Sequence, residues 1–424
     1  MQREDINAFK KLGISHLLAI SGLHLGLLIS IIYYILQKLN FTSNLIENII
    51  IIILPCYMGI SGFSPSVVRA GLMIIVYLIL RRKNIANIDS LLITFLIMTI
   101  INPLYIFDIG FELSFFITFS LLMSTEYIKK SKNKLQSSLK ISVISFLASM
   151  PILISNFYTV PYISVFSNII LVPIFSIIIF PLVVCSYIVF LLSTTIFNIL
   201  CKPLLNLVFY IFDEIQSILF RVQTIRIGKQ NIYVIIAIYL IILFILICLN
   251  KNKYKVSLCG LATIVSFLAV NNTFNSSKDL FEKLEIGKSQ VYYLKENGVT
   301  TLINTSNNLE NFYSDFRKKD KVYDIINEYD SLLNYEGKNK IDYLILTSTK
   351  KGEIGFAETL VGKGIIKKVV ILDIHKEKFN DLINLAKFKN IDVLVLKENN
   401  ELIKSIYYYN KIIKIKDIEI EVVD

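Results

Sequence analysis

The sequence contains few of the residues from which metal, redox and nucleotide sites are built. Three histidines occur in 424 residues. The five cysteines lie in or beside apolar segments without a CxxC spacing, so they indicate neither a disulfide framework nor a zinc site. No G-x-x-x-x-G-K-[ST] stretch is present, so the chain has no P-loop that could bind a nucleotide. We therefore predict that the chain binds no metal and no cofactor. If the chain moves a substrate, we expect the energy to come from outside this chain.

Charged residues are also scarce, at 18%, whereas hydrophobic residues make up 54% and the mean hydropathy is +0.61. Soluble globular chains are rarely so apolar. About 20 apolar helical residues cross the hydrocarbon core of a bilayer. The sequence therefore predicts a polytopic α-helical membrane protein with about nine or ten membrane segments. The candidate spans are 14–36, 45–61, 66–80, 88–106, 109–127, 139–159, 162–192, 231–249 and 255–270.

Two segments do not fit a simple crossing. The run 162–192 is long and contains Pro173 and Pro181, which predict a break into two segments or a re-entrant pair. Segment 196–222 mixes apolar and charged residues, and we predict an amphipathic helix at the membrane interface. The short polar N-terminus precedes an apolar run without a small-residue cleavage site, so we expect no removable signal peptide.

The net charge of +11 has two explanations, namely basic cytoplasmic loops and a nucleic-acid partner. Basic loops at 81–84, 129–134 and 251–255 predict which ends of the spans face the cytoplasm. The third loop agrees with the other two only if an even number of crossings separates residues 139 and 250. In that arrangement the C-terminal part lies outside the cell.

From about residue 275 the chain changes character, and we predict a soluble α/β domain over 275–424 after a membrane-embedded domain over 1–270. Helical stretches are expected at 308–327 and 376–388. The predicted strands are the short apolar runs SQVYYL, TTLINT, DYLILT, KKVVIL, DVLVL and IEIEVV.

The stretch HLLAISGLHLGLL places His16 and His24 inside an apolar segment. Gly22 and Gly26 form a GxxxG step that lets another helix approach closely, and Ser21 adds a hydroxyl. One interpretation is tight helix packing with hydrogen-bonded histidines. The other is a polar stripe that faces a water-filled path, because polar groups at membrane depth usually face a bundle interior or a cavity.

Three charged residues accompany apolar helices further along the chain. Arg69 begins an apolar run, where it either snorkels to the interface or pairs inside the bundle. Asp108 and Glu112 are four residues apart and share one helix face, where they need a partner, water or a proton. The simpler interpretation is that Asp108 caps its helix and Glu112 lies near the interface.

Four stretches together resemble the competence domain of the ComEC-type DNA-uptake family in their order and spacing. They are LGISHLLAISGLHLGLL, SGFSPSVVRAGLM, NPLYIFDIGFELSFF and SNIILVPIFSIIIFPL. The resemblance implies a channel in the bacterial inner membrane through which transforming DNA enters as a single strand. It places the following residues in signature segments or the pore: His16, Ser21, Gly22, His24, Gly26, Arg69, Asp108 and Glu112. Glu112 departs from the glutamine that the family often has.

Longer members of this family often end in a metallo-β-lactamase-like domain, proposed to be a nuclease. The metal loop of that domain carries His, His, Asp and His, where this chain has Ser348, Lys350, Gly352 and Glu353. Serine and glycine do not ligate a hydrolytic metal, and a lysine repels it. We therefore predict a degenerate metallo-β-lactamase-like fold without nuclease activity, and we expect His375 at its surface.

The resemblance implies single-stranded DNA and membrane lipid as partners, with a DNA receptor outside and an ATPase or helicase in the cytoplasm. It leaves homo-oligomerisation open. Family members with an OB-like domain have further spans before the His16 motif, so we expect a short member or a truncated product. Two other hypotheses stay open, a proton- or ion-coupled small-solute transporter and a non-functional remnant of a channel.

Overall fold

A computed structural model describes residues 22–81, 87–220, 224–276, 280–286, 289–296, 298–304, 316–346, 351–372, 377–396 and 421–422. The chain divides into two compact units. The membrane unit comprises Met1–Asn156, Val160–Ile225 and Ile235–Val265. The sheet unit comprises Phe157–Thr159, Arg226–Val234 and Ser266–Asp424.

The first part of the chain is helical. Its helices are α1 Gly22–Lys38, α2 Ser43–Ile60, α3 Pro65–Arg81, α4 Asn87–Ile101, α5 Ile109–Met123, α6 Thr125–Lys129, α7 Lys134–Phe157, α8 Ser164–Leu192, α9 Lys202–Phe220, α10 Ile232–Asn250 and α11 Tyr254–Ser276. Small clusters of buried apolar side chains hold neighbouring helices together. Leu25, Ile50 and Leu78 join α1, α2 and α3, whereas Met98 and Phe111 join α4 and α5.

Among the described residues, six helical stretches are long and apolar enough to cross a membrane, which fits the predicted multi-pass membrane protein. These stretches are Ser43–Ile60, Lys134–Phe157, Ser164–Leu192, Thr194–Ile215, Ile232–Asn250 and Tyr254–Asn271. Shorter apolar helices add His24–Lys38, Ile88–Ile101 and Ile109–Met123. Thr194–Ile215 is apolar enough to span by length and composition alone, so the interfacial placement of 196–222 stays a prediction.

The prediction that prolines break the run 162–192 is wrong. Residues Ser164–Leu192 form one continuous helical stretch, α8, in which Ile174–Ile179 is π-helical. The π-helical turns lie between Pro173 and Pro181. The ring of Pro181 would meet the carbonyl group of residue 177, which lies in the π-helical segment, where the wider turn shifts that group and lets the helix continue. Pro173 is the last α-helical residue before this segment.

The sheet unit is built on a seven-stranded mixed sheet whose strands follow one another in chain order. β1 and β2 (Thr159–Val160 and Ile225–Arg226) form a separate two-stranded pair. In the large sheet, β3 to β5 are antiparallel, β5 to β8 are parallel, and β9 is antiparallel to β8. The large sheet consists of β3 Leu280–Ile286, β4 Ser289–Glu296, β5 Val299–Ile303, β6 Ile341–Leu346, β7 Ile366–Leu372, β8 Asp392–Leu396 and β9 Glu421–Val422.

Three helices pack on one face of this sheet: α12 Phe316–Glu336, α13 Lys351–Gly362 and α14 Asn380–Phe388. Alternating strand residues separate the two faces, as the two-residue period of a strand requires. Val369 and Ile371 of β7 face the helices, whereas Val370 between them joins a cluster on the opposite face. Five of the six predicted strands are present as β4 to β8, and the sixth, IEIEVV, is described only at Glu421–Val422 of β9. Strand β3 and helix α13 were not predicted. Helix α13 contains three glycines, which weaken its helical signal.

Two ionic groups stabilise the edge of the sheet unit. Lys295 and Glu336 form a buried pair with a Nζ–Oε2 distance of 2.6 Å. Asp342 accepts hydrogen bonds from the Thr300 amide and hydroxyl, both at 2.9 Å, from Lys338 at 3.0 Å and from Lys367 at 2.7 Å. Burial alone would raise the pKa of Asp342, but these hydrogen bonds together lower it to about 2.

The sheet unit includes two segments that connect membrane helices, Phe157–Thr159 and Arg226–Val234. Arg226 pairs with Asp330 of α12 at 3.0 Å, and the Lys229 amide donates to the Tyr335 carbonyl oxygen at 2.7 Å. Gly228 and Gly337 both have positive φ, and a Cβ on Gly337 would lie 3.0 Å from the Gly228 nitrogen. The connecting segments are therefore part of the folded sheet unit.

We expect Asp342→Asn to destabilise the sheet unit at neutral pH. A carboxyl whose pKa falls from 3.8 to about 2 on folding contributes about 2 kcal/mol above pH 4, and this contribution is lost as the pH falls toward 2. Hydrogen exchange of the full chain in detergent should be faster in β5 and β6 by roughly 30-fold at pH 7, with the difference fading near pH 2. Asp392→Asn, at an exposed ion pair with Lys368, is the control and should change little.

The close approach of the two glycine backbones gives a second prediction. Gly337→Ala should loosen the segment 226–234, because its Cβ meets backbone atoms of Ile227 and Gly228. Tryptic cleavage after Arg226 and Lys229 should accelerate by roughly tenfold. Gly364→Ala is the matched control, since Gly364 has nearly the same φ of +69° and nothing within 4 Å of a new Cβ. Equal acceleration in both variants would show that backbone strain, rather than the contact, controls this segment.

Candidate functional site

Some predicted site residues lie outside the part of the chain that the structure describes. These are His16 and Ser21 of the first signature segment, Ser348 and Lys350 of the degenerate metal loop, and His375. The predictions for these five residues stay predictions. The structure places the remaining site residues, and those of the membrane unit come from the first three signature segments.

The first and second signature segments meet at Gly22. A Cβ on Gly22 would lie 3.3 Å from the Cβ of Ala70, the residue that follows Arg69 on α3. A Cβ on Gly26 would have no described neighbour within 4 Å, so a close contact at the second glycine stays a prediction. Among the described residues, the close approach of α1 to α3 is at Gly22. A GxxxG pattern cannot reveal which of its glycines faces a partner when the helices cross at a steep angle.

The first and fourth signature segments meet at His24, whose side chain is 5% exposed. Its ring lies 5.4 Å from the ring of Phe175 and 5.1 Å from the ring of Phe180, measured between centroids. Phe175 lies in the π-helical part of α8, and Phe180 follows it directly. His24 thus packs against the irregular turns of α8. Sequence analysis did not identify these two phenylalanines, since aromatic residues are common in this helix.

A positive residue of the second signature segment lies near a negative residue of the third. Arg69 of α3 is half-buried and lies within electrostatic range of Asp108. Asp108 also caps α5, because its Oδ1 accepts a hydrogen bond from the Phe111 amide at 2.7 Å. The simpler interpretation of Asp108 as a cap is therefore confirmed. The structure also brings Arg69 near the carboxylate that could neutralise it inside the bundle.

Glu112, one turn into α5, lies near both Asp108 and Tyr239 of α10. The ring of Tyr239 packs edge-on against Phe116 of α5, with 5.1 Å between centroids. Tyr239 was missed in the sequence analysis, since a single tyrosine in a long apolar helix carries no signal of its own. Glu112 thus lies within electrostatic range of a residue on another helix of the membrane unit.

Polar atoms without a hydrogen-bond partner among the described residues cluster on α8. They are the hydroxyls of Ser167, Ser176 and Ser186 and the Oδ1 of Asn168. Ser167 is 0% exposed and Ser176 is 7% exposed. Unsatisfied polar groups are costly in hydrocarbon, so buried ones in membrane proteins usually line hydrated or ligand-binding interiors.

The residues that the structure describes contain no group of three or more His, Cys, Asp or Glu side chains placed to hold a metal ion. Gly352 and Glu353 of the degenerate metal loop lie in the first turn of α13, and both are buried. Glu353 interacts electrostatically with the buried Tyr329 of α12. Glu353 is therefore part of the packing between α12 and α13.

The four signature segments, together with the residues around them, match the family model described as Competence protein over residues 1–252. The chain belongs to the competence protein family. It is similar to ComE operon protein 3 of Bacillus subtilis (strain 168), with 28% identity over 386 residues. That alignment covers 88% of this chain and 49% of the relative, so the chain spans about half the length of that protein.

No solved structure matches the chain. The metallo-β-lactamase-like fold of the sheet unit therefore stays a prediction. The competence family match covers the helices that carry Gly22, His24, Arg69, Asp108 and Glu112. These residues and the contacts between their helices thus lie in the part of the chain that matches the family model.

The contact of Gly22 with Ala70 gives a prediction with an internal control. Gly22→Leu should lower the unfolding free energy of the purified protein by about 1–3 kcal/mol, because the added side chain overpacks the contact between α1 and α3. Thermal unfolding in detergent, followed by size-exclusion chromatography, measures the effect. Gly26→Leu should leave the unfolding temperature unchanged, since the space beside Gly26 is open. A similar loss in both variants would exclude Gly22 as the specific contact.

Proposed function

We propose that this chain is a component of a bacterial inner-membrane channel that imports transforming DNA as a single strand. The observation that carries the proposal is the convergence of the four signature segments in the membrane unit. Gly22 lies against Ala70, His24 against Phe175 and Phe180, and Arg69 within range of Asp108. The chain also belongs to the competence protein family, which supports a role of these segments in DNA uptake.

The physical support is the polarity of this region. A single strand needs a hydrated path with weak, sequence-tolerant contacts to phosphates and bases. Apolar helices lack such a path unless they carry polar groups, which are costly to keep at membrane depth. Arg69, Asp108, Glu112 and the partnerless hydroxyls of α8 are groups of this kind.

We further propose that the basic loops 129–134 and 251–255 face the cytoplasm, which requires Thr194–Ile215 to cross the membrane and not to lie at its interface as the sequence predicts. Four candidate spans separate them, namely α7, α8, Thr194–Ile215 and α10, and four crossings return the chain to the same side. A strand that leaves on this side would meet a cytoplasmic ATPase or helicase, and the lack of a P-loop motif in this sequence is compatible with such a partner. A DNA receptor would deliver the substrate on the outside.

For the sheet unit we propose a role other than hydrolysis. Of the residues at the positions of the metal ligands, Gly352 has no side chain that could bind a metal, and Lys350 would repel one. The purified chain should therefore leave labelled DNA intact in the presence of Zn²⁺ or Mn²⁺. Metal-dependent degradation would overturn this part of the proposal.

The test of the uptake function uses Asp108→Asn in the native host. Asparagine caps a helix as well as aspartate does but carries no charge, so the variant separates the two roles of Asp108. We expect normal accumulation of the protein and about a tenfold loss of labelled DNA that enters the cell and resists added nuclease. Asp89→Asn, at an exposed acid in the first turn of α4, is the matched control and should take up DNA normally.

Deletion of the gene sets the baseline of this experiment. Loss of protected label with retained surface binding supports translocation, whereas unchanged protected label overturns the proposed function. The transporter hypothesis predicts a different pattern, in which Asp108→Asn alters the pH dependence of small-solute uptake and DNA uptake is unaffected.

A further inference from the structure

Hydrogen bonds join two basic loops of the membrane unit that are far apart in the sequence. They are 123–134, which follows α5 and includes α6, and 250–255, which joins α10 to α11. The Asn250 side chain donates to the Met123 carbonyl oxygen at 2.6 Å and accepts from the Tyr127 amide at 3.0 Å. Lys130 donates to the Asn252 side chain at 3.4 Å. We call this pair of loops the lysine–tyrosine platform.

The platform concentrates positive charge. Its first loop contains four lysines in the stretch KKSKNK, and its second loop contains three in the stretch KNKYK. All of them are exposed. The acidic residue of the two loops is Glu126, which pairs with Lys129 at 3.6 Å. The remaining lysines form an exposed, multivalent cationic surface on a fixed backbone.

Two tyrosine rings are held among these lysines. The rings of Tyr127 and Tyr254 lie 6.1 Å apart between centroids. Below them, Lys140 of α7 is 8% exposed, places its Nζ 4.2 Å from the centre of the Tyr127 ring, and donates to the Tyr127 carbonyl oxygen at 2.6 Å. Tyr254 is 49% exposed, and its hydroxyl donates to Asn252 at 3.2 Å. The buried lysine and the two asparagines thus fix the rings while one of them stays accessible.

The combination of fixed lysines and an accessible ring selects a class of ligand. Attraction to anionic lipid needs only basic residues near the membrane and no defined arrangement of aromatic rings. A single strand of nucleic acid offers phosphates to the lysines and unpaired base faces to a ring, and base–aromatic stacking tolerates any sequence. We propose that the lysine–tyrosine platform binds single-stranded DNA through its phosphates and through a base stacked on Tyr254. This inference rests on the proposed DNA-uptake function.

The test measures binding in the absence of anionic lipid. The full chain is placed in nanodiscs of phosphatidylcholine, and the anisotropy of a fluorescein-labelled oligothymidylate of about 20 nucleotides reports binding. The platform variant is Lys132→Gln, Lys251→Gln and Lys253→Gln. The matched control carries the same three changes at exposed lysines of the sheet unit, Lys340, Lys378 and Lys389.

We expect the platform variant to bind about tenfold or more weakly at about 50 mM salt, with a slope of log K against log[salt] that is smaller by about 2. The control should bind like the wild type. Tyr254→Leu should weaken binding by roughly tenfold, whereas Tyr254→Phe should retain it, because phenylalanine keeps the ring and loses only the hydroxyl.

Three results would overturn the proposal. Equal losses in platform and control variants would indicate diffuse attraction to the whole chain. Unchanged DNA binding, together with loss of thermal stabilisation by added phosphatidylglycerol, would identify the platform as a lipid-headgroup surface. Equal binding by Tyr254→Leu and Tyr254→Phe would exclude stacking. Because binding is measured on purified protein, these outcomes are independent of the gene-deletion experiment that tests DNA uptake.

Discussion

Polar groups placed among apolar helices need partners, because hydrocarbon supplies none. This constraint shapes the membrane unit. Arg69 lies near Asp108, Asp108 caps α5, and Glu112 lies near Tyr239 on another helix. Two of these interactions, Arg69 with Asp108 and Glu112 with Tyr239, join residues that are far apart in the sequence and lie on different helices. The same requirement draws distant signature segments together.

The irregular part of α8 is the second centre of the membrane unit. Its π-helical turns accommodate Pro181 within one helix, and Phe175 and Phe180 pack against His24. Single π-helical turns in α-helices occur frequently at functional sites. In this helix the departure from α-helical geometry and the buried hydroxyls of Ser167 and Ser176 occur together. Helix α8 thus combines an irregular backbone with buried polar side chains. A path for a charged substrate would need both.

Fixed polar contacts also organise the chain outside the spans. Asn250 bonds to both Met123 and Tyr127, so two basic loops that are remote in sequence form one surface. In the sheet unit, Arg226 pairs with Asp330 and thereby includes a connection between membrane helices in the fold of the C-terminal region. In both places a few directed hydrogen bonds fix the backbone segments that form a surface. Charged side chains alone are mobile and would not order such a surface.

The sequence by itself determined the class of the protein, the family resemblance and most elements of the sheet unit. Hydropathy and strand periodicity are local properties, so five of the six predicted strands and the apolar spans could be found without a structure. The tertiary structure decided which residues meet. The contact of Gly22 with Ala70, the isolation of Gly26 and the position of Tyr239 beside Glu112 depend on helix crossing and rotation, which local patterns do not encode. The continuity of α8 through two prolines was likewise settled by packing around the π-helical turns, because a proline's effect depends on the geometry of the neighbouring turns.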